Sequence, residues 1–224
     1  MEKEAVTTGQ RTLYRPVGLL EMVHILEADS RAFPPRQRYQ PIFYPVLVRA
    51  YADQIARDWN APSERAGYAG FVTEFQVDAA YVARFEEHVV GAAVHRELWV
   101  PAEELDEFNR HLAGPIALVG AYYGDEYAGP EPLPAALKGR TAREQLPVLA
   151  GMLEAVPLDF RGAVGTQPIL VQLNFAYWVR RDVSQEGLAP ERKVATLRAI
   201  RAMLLERLPD LRLFGSTELD AAGQ

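Results

Sequence analysis

Cysteine is absent from this 224-residue chain, which excludes disulfide bridges, a thiolate nucleophile and cysteine-based zinc sites together. Serine is nearly as scarce. Ser30, Ser63, Ser184 and Ser216 are the whole complement, and none stands in a Gly-x-Ser-x-Gly turn, which argues against a serine hydrolase. The histidines His24, His88, His95 and His111 lack the His-Glu-x-x-His spacing of a zinc protease. Glu86-Glu87-His88 has ligand chemistry but too few partners for a metal, and reads better as a solvated helix end. Neither Gly-x-Gly-x-x-Gly nor a Walker loop occurs, so the two common phosphate cradles are missing. No apolar run approaches the ~20 residues that span a bilayer. The charged start Met1-Glu2-Lys3-Glu4 leads into no signal-peptide core, so a soluble, cytoplasmic protein without membrane association is expected. A basic excess is lacking too: 24 Lys and Arg face 30 Asp and Glu, for a net charge of −6. The acidic surplus lies in the first 125 residues. Arg180-Arg181 and the series Arg192, Lys193, Arg198, Arg201 are the basic clusters, and the series fits a solvated helix face. Nucleic acid is therefore a poor partner for this chain.

What is present is apolar material enough for a packed core, 49% of residues, in a length that suits one domain with a smaller companion. Residues 1–11 read as a frayed lead. Residues 12–15 form a short strand stopped by Pro16, and a helix follows to about Ala28. A proline-punctuated loop with three arginines, 31–39, precedes a second strand at 42–44. Residues 46–59 carry apolar positions at helical spacing, with Ala52 and Ala56 as small residues on one face. Residues 70–77 alternate: Phe71, Thr73, Phe75 and Val77 on one face, Val72, Glu74 and Gln76 on the other. Asp78 is placed to cap a helix reaching Phe85. Residues 94–100 give a strand, Pro101 opens a helix with acidic residues in its first turn, and 116–122 close this half as a strand.

Three prolines and two glycines without periodicity occupy 124–134, the best boundary in the chain. The division expected is a domain over 1–124, a linker over 125–132, and a mixed or helical region over 133–224. In that region Thr141 is placed to cap a helix through about Ala155, and 189–208 form an amphipathic helix. For 169–179 a strand is favoured, because Gln172 and Asn174 share a strand face but fall on opposite sides of a helical wheel. Its rings Phe175, Tyr177 and Trp178 suit core packing better than a partner surface.

Among chemistry-bearing residues, Glu97 draws notice because it lies in the apolar setting of Leu98, Trp99 and Val100, where a carboxylate needs a partner or a task. From the residues alone, an ion pair with Arg15 or Arg96 serves equally well. Arg15 can simply cap a sheet edge, and Tyr14, Phe43 and Tyr44 can be core aromatics.

Taken in order, however, the strings at 12–18 (Thr-Leu-Tyr-Arg-Pro-Val-Gly), 33–36 (Phe-Pro-Pro-Arg), 40–46 (Gln-Pro-Ile-Phe-Tyr-Pro-Val) and 55–60 (Ile-Ala-Arg-Asp-Trp-Asn) form a pattern. It continues at 72–78 (Val-Thr-Glu-Phe-Gln-Val-Asp) and 97–109 (Glu-Leu-Trp-Val-Pro-Ala-Glu-Glu-Leu-Asp-Glu-Phe-Asn). About half the chain thereby resembles the ADP-ribosyltransferase fold, and more closely a group of small bacterial proteins labelled ADP-ribosylation/crystallin. The resemblance implies an α+β fold with a split, mostly antiparallel sheet and peripheral helices. It implies an NAD-dependent ADP-ribosyltransferase-like enzyme, with NAD as substrate and an acceptor macromolecule. By the same resemblance Glu97 is the catalytic residue, contacting the nicotinamide ribose. Arg15 holds the dinucleotide, with Tyr14 beside it, and Phe43 and Tyr44 line the nicotinamide pocket. Two departures stand out: His95 occupies the place two residues before Glu97 where many such transferases carry an acid or amide, and a Ser-Thr-Ser strand motif is missing. The alternative is a non-catalytic NAD- or ADP-ribose-binding or protein-interaction module on the same scaffold. An ADP-ribosylglycohydrolase is excluded by the strand alternation at 70–77 and the lack of Asp-Asp-Thr motifs.

Overall fold

A computed structural model describes residues 9–221 and has an α+β architecture; residues 1–8, most of the expected lead, lie outside the described residues. The chain divides into two compact units, Met1–Gly124 and Asp125–Gln224.

Unit 1 is built on a three-stranded antiparallel sheet with β3 (Ala69–Asp78) between β1 (Gln10–Val17) and β7 (Ala117–Tyr123). Pairing of β1 with β3 runs from Gln10 opposite Asp78 to Val17 opposite Phe71. Pro16 does not end β1. The Tyr14 N–H points away from β3 to the Val46 carbonyl, 2.9 Å, so the N–H that Pro16 lacks would also have pointed away from the ladder. Beyond β1 lie the segment around Val46 and then two short pairs, β2 (Ile42–Phe43) with β6 (Val100–Pro101) and β4 (Glu87–Val89) with β5 (Arg96–Leu98). Isolated bridges from Tyr14 to Val46 and from Val46 to Glu97 join β1 to β5. The sheet is thus broken into short pieces beyond β1, as a split sheet would be.

Alternation gives the sheet two distinct faces. Leu13, Val17, Phe71, Phe75 and Val77 lie on the first, packed with Met22 and Ile25 of α1 (Leu19–Glu27) and the rings of Phe33, Phe43 and Phe108. Those rings meet at angles, Phe33 to Phe43 at 4.9 Å and Phe43 to Phe108 at 5.2 Å between centroids. The second face carries Val46, Tyr51, Ala52, Ala56 and Val72, with Tyr14, Val119 and Tyr122 partly buried around them. Here α2 (Arg49–Ile55) runs into a π turn, Ala56–Asn60, instead of continuing to 59 as an α-helix. The turn lets the Ala56 carbonyl accept from Ala61 N–H at 3.0 Å and brings that carbonyl against Gly70, where a Cβ would sit 1.9 Å away. The small residue Ala56 therefore serves a backbone-close contact.

A register shift between Val72 and Thr73 marks a bulge in the pairing of β3 with β7, and the freed Val119 carbonyl accepts from Arg49 Nη2 at 2.8 Å. Asp78 caps a helix as expected, its Oδ1 accepting from Tyr81 N–H at 2.8 Å, but α3 (Ala79–Val82) is one turn and does not reach Phe85. The segment after Pro101 begins as a 3₁₀ turn, Ala102–Glu104, before α4 (Leu105–Arg110).

Unit 2 is helical among the described residues: α5 (Ala142–Ala155), α6 (Pro157–Gly165), α7 (Pro168–Arg180), α8 (Pro190–Arg207) and α9 (Ser216–Ala221). The strand expected over 169–179 is wrong. It is α7, and its polar residues do not mark a solvent face: Asn174 is fully buried, donating to Gln145 Oε1 at 3.1 Å and accepting from the Tyr127 hydroxyl at 2.8 Å. Phe175, Tyr177 and Trp178 are core residues of this unit, and Trp178 Nε1 donates to the Ala142 carbonyl at 2.6 Å. Residues 125–132 are not a free linker, since Tyr127 is buried and Ala142 N–H donates to the Ala128 carbonyl at 2.6 Å.

Candidate functional site

Arg15 projects from β1 onto the first sheet face, where it is only 6% exposed. Burying a guanidinium demands compensation, and Glu21 supplies it from the first turn of α1, where a carboxylate also favours the helix dipole. Arg15 Nε donates to Glu21 Oε1 at 2.7 Å and Nη2 to Glu21 Oε2 at 3.2 Å, a fork on fork. Nη1 reaches the Tyr44 carbonyl at 3.3 Å, and the guanidinium carbon stands 4.5 Å above the Phe43 ring. Phe43, expected on a pocket wall, is fully buried and acts as the floor under this cation.

Glu97 arrives from the other direction. Tyr14 and Val46 exchange both backbone hydrogen bonds, at 2.9 and 2.7 Å. Leu47 N–H then donates to the Arg96 carbonyl at 2.9 Å and Leu98 N–H to the Pro45 carbonyl at 2.8 Å. Residues opposed across antiparallel strands share a face, so Tyr14, Val46 and Glu97 stand together on the second face, with Arg15 and Phe43 on the first. Half-buried Glu97 accepts from Trp99 Nε1 at 3.3 Å, and the Trp99 ring meets the Tyr44 ring edge-on at 6.1 Å. His95, two residues before Glu97, stacks on Tyr51 at 4.5 Å, and its Nε2 lies 3.1 Å from Gln54 Oε1. Burial, and then the nearby Glu97 charge, raise the Tyr51 phenol above its ordinary value. The Tyr14 phenol is raised as well, by burial and then by Glu74. Also on this face, the Tyr122 hydroxyl donates to Asp53 Oδ1 at 3.1 Å and Arg49 Nε to Asp53 Oδ2 at 2.9 Å.

The expected residues therefore converge by strand pairing but divide between faces. Tyr14 and Glu97 share one face. Arg15 and Phe43 share the other. Tyr44 connects them, accepting from Arg15 through its carbonyl and touching the Glu97 side through Trp99.

Sequence reasoning missed Glu21 and Arg36. A cleft of about 850 Å³ opens beside α1, its walls including Glu21, His24, Arg36, Tyr39 and Arg65. Arg36 follows Pro34-Pro35, whose fixed φ angles set where it points. Its Nη1 stands 3.8 Å from Glu21 Oε2, and its Nε is buried without a partner. The string Phe33-Pro34-Pro35-Arg36 was the available signal: a basic residue on a stiffened loop. No group of three or more metal-ligating side chains occurs among the described residues. Of the triplet 86–88, His88 stacks on Trp99 at 4.0 Å and Glu87 pairs with Arg11 and Arg96. No described helix is long and apolar enough to cross a membrane.

The chain matches no protein-family model, no curated protein and no solved structure.

Proposed function

We propose that unit 1 is an NAD-dependent ADP-ribosyltransferase-like module, cleaving the nicotinamide–ribose bond and passing ADP-ribose to an acceptor macromolecule. The observation that carries this reading is the pairing of Tyr14 with Val46 and of Val46 with Glu97, which sets the strand bearing Arg15 and the strand bearing Glu97 on either side of Val46. In the reaction the C1′–N bond breaks and its electron pair leaves with neutral nicotinamide. An acceptor nucleophile bonds to C1′ and gives up its proton. Positive charge builds on the ribose as the bond lengthens, as in glycoside cleavage. The Glu97 carboxylate, held by Trp99, stabilises that charge and orients the 2′-hydroxyl. Tyr44 supplies a stacking ring for nicotinamide, and Tyr14 contacts the dinucleotide beside it. Phe43 supports Arg15, which meets a ribose or phosphate oxygen with the N–H groups that Glu21 and Tyr44 leave over. Three of its five N–H groups are already engaged.

Nicotinamide release from NAD by the purified chain tests this. Glu97→Ala should fold with an unchanged melting temperature and lose about 10²- to 10³-fold in turnover, the cost typical of removing one electrostatic stabiliser. If the wild type releases no nicotinamide with any acceptor and Glu97→Ala alters thermal stability alone, the catalytic assignment falls.

A second reading, an NAD- or ADP-ribose-binding or protein-interaction module without turnover, is favoured by one specific observation: most of the Arg15 N–H groups are already engaged by Glu21 and Tyr44. Thermal-shift titration separates the two. Ligand-dependent stabilisation by NAD or ADP-ribose without nicotinamide release selects the binding module.

A further inference from the structure

The geometry points to a binding site for a nucleoside phosphate in the cleft beside α1, with Arg36 taking the phosphate and Tyr39 the base. Two guanidinium groups, of Arg15 and Arg36, face one carboxylate, that of Glu21. Glu21 gives both its oxygens to Arg15 in hydrogen bonds, which leaves Arg36 at 3.8 Å, an ion-pair distance without a hydrogen bond. The Arg36 side chain is only 10% exposed and its Nε has no partner. A desolvated cation with an unmade hydrogen bond is costly in a protein that gains nothing from it. Two phosphate oxygens approaching from the cleft would give the guanidinium the counter-charge and hydrogen bonds that Glu21 leaves unmade, in the fork geometry that arginine offers to phosphate.

The surroundings agree. Burial first, and then the Arg15 cation, push the Arg36 guanidinium below its ordinary value, with Glu21 acting the other way. Of the other charged groups on the cleft walls, Glu27 is held by His24 Nδ1 at 2.9 Å, and Arg65 is exposed. Tyr39 is 76% exposed on the same wall, an open ring face suited to a base. The cleft, at about 850 Å³, lies within the range of small-molecule sites and is far larger than a bare anion needs. Only the identity of the nucleotide, a dinucleotide diphosphate, rests on the transferase reading above.

Titration calorimetry of the full chain with inorganic pyrophosphate and with ADP-ribose tests the site. Wild type should bind both. Arg36→Gln should weaken both at least tenfold while leaving the ligand-free melting temperature unchanged or higher. Arg36→Lys should recover part of the pyrophosphate affinity, and Tyr39→Ala, at an exposed position, should weaken ADP-ribose alone. The site is overturned if wild type binds neither probe, or if Arg36→Gln and Arg36→Lys bind both as wild type does. Binding through Arg36 without nicotinamide release keeps this site and removes the transferase. Nicotinamide release with a KM for NAD that Arg36→Gln leaves untouched keeps the transferase and removes this site.

Discussion

Glu21 is the residue on which the first sheet face depends. One carboxylate neutralises Arg15 by a two-pronged hydrogen bond and partly offsets Arg36, all within a region that water scarcely reaches. Removing one partner of a buried pair is worse than never having had it, because the charge left behind stays desolvated. Glu21→Gln would strand two cations and should cost about 3 kcal/mol of stability, by the usual scale for a broken buried pair. Chemical denaturation of wild type and variant measures it, and a loss below half of one kilocalorie would mean that solvent already screens the group. Gly70 is a second single-residue dependency of a different kind. Its added Cβ would meet the Ala56 carbonyl oxygen at 1.9 Å, with no flexible side chain to move aside. Gly70→Ala must push the π turn off β3, and about 2–3 kcal/mol is the expected penalty for such overpacking. An unchanged melting temperature would show that the π turn moves freely.

Elements were legible where the local pattern and the tertiary demand coincide. The alternation over 70–77 reports β3 because one of its faces meets the aromatic core and the other meets α2 and, further along, solvent. Thr141 likewise announces α5 through capping chemistry that acts within four residues. It failed for α7, since a helix packed among other helices has no broad polar side to show, and its amide Asn174 is paired inside, with Gln145 of α5 and the Tyr127 hydroxyl. Pro16 misled for a related reason: whether proline ends a strand depends on which side its N–H would have faced, and the segment on that side, which bridges Tyr14 at Val46, is distant in sequence. The cap of α5 offers a measurable consequence of the local kind. Glu144 Oε2 accepts from the Thr141 N–H at 2.8 Å and from its hydroxyl at 2.9 Å, and these bonds hold the carboxyl below its ordinary value. A carboxyl depressed in the folded state stabilises above its unfolded pKa, here 4.5, and that contribution is lost as pH falls through the lower folded value. Glu144→Ala should therefore cost up to about 1 kcal/mol at neutral pH, in the range of helix caps. The difference from wild type should shrink as melting is followed from pH 7 to pH 3. A constant difference across that range would assign the loss to helix propensity instead of the cap.

At the scale of the molecule, the layout of the candidate residues was half legible. Strand pattern places Arg15 and Glu97 on neighbouring pieces of sheet only once Val46 is known to lie between them, and that pairing joins residues more than eighty apart. Parity along each strand then decides faces, which no local string encodes, and Arg36 stayed hidden because its significance is a missing partner. The boundary was more open to inspection, since prolines and glycines without period cannot extend a helix or a strand. Their placement in unit 2, though, turns on one buried ring. Tyr127 packs at 5.1 Å from the Tyr177 ring and satisfies Asn174, so a fragment starting at 133 leaves an amide oxygen without its buried donor and a void beside α7. Each unit has its own core, which predicts that 1–124 and 125–224 fold when expressed separately, the second with a purely helical circular dichroism spectrum. A fragment of 133–224 should be weaker than 125–224 by about 3–5 kcal/mol, the range for deleting a large buried aromatic. Urea unfolding of the two fragments decides the point: equal midpoints would return 125–132 to the status of a tether, and a shift of that size fixes Tyr127 as part of the helical core.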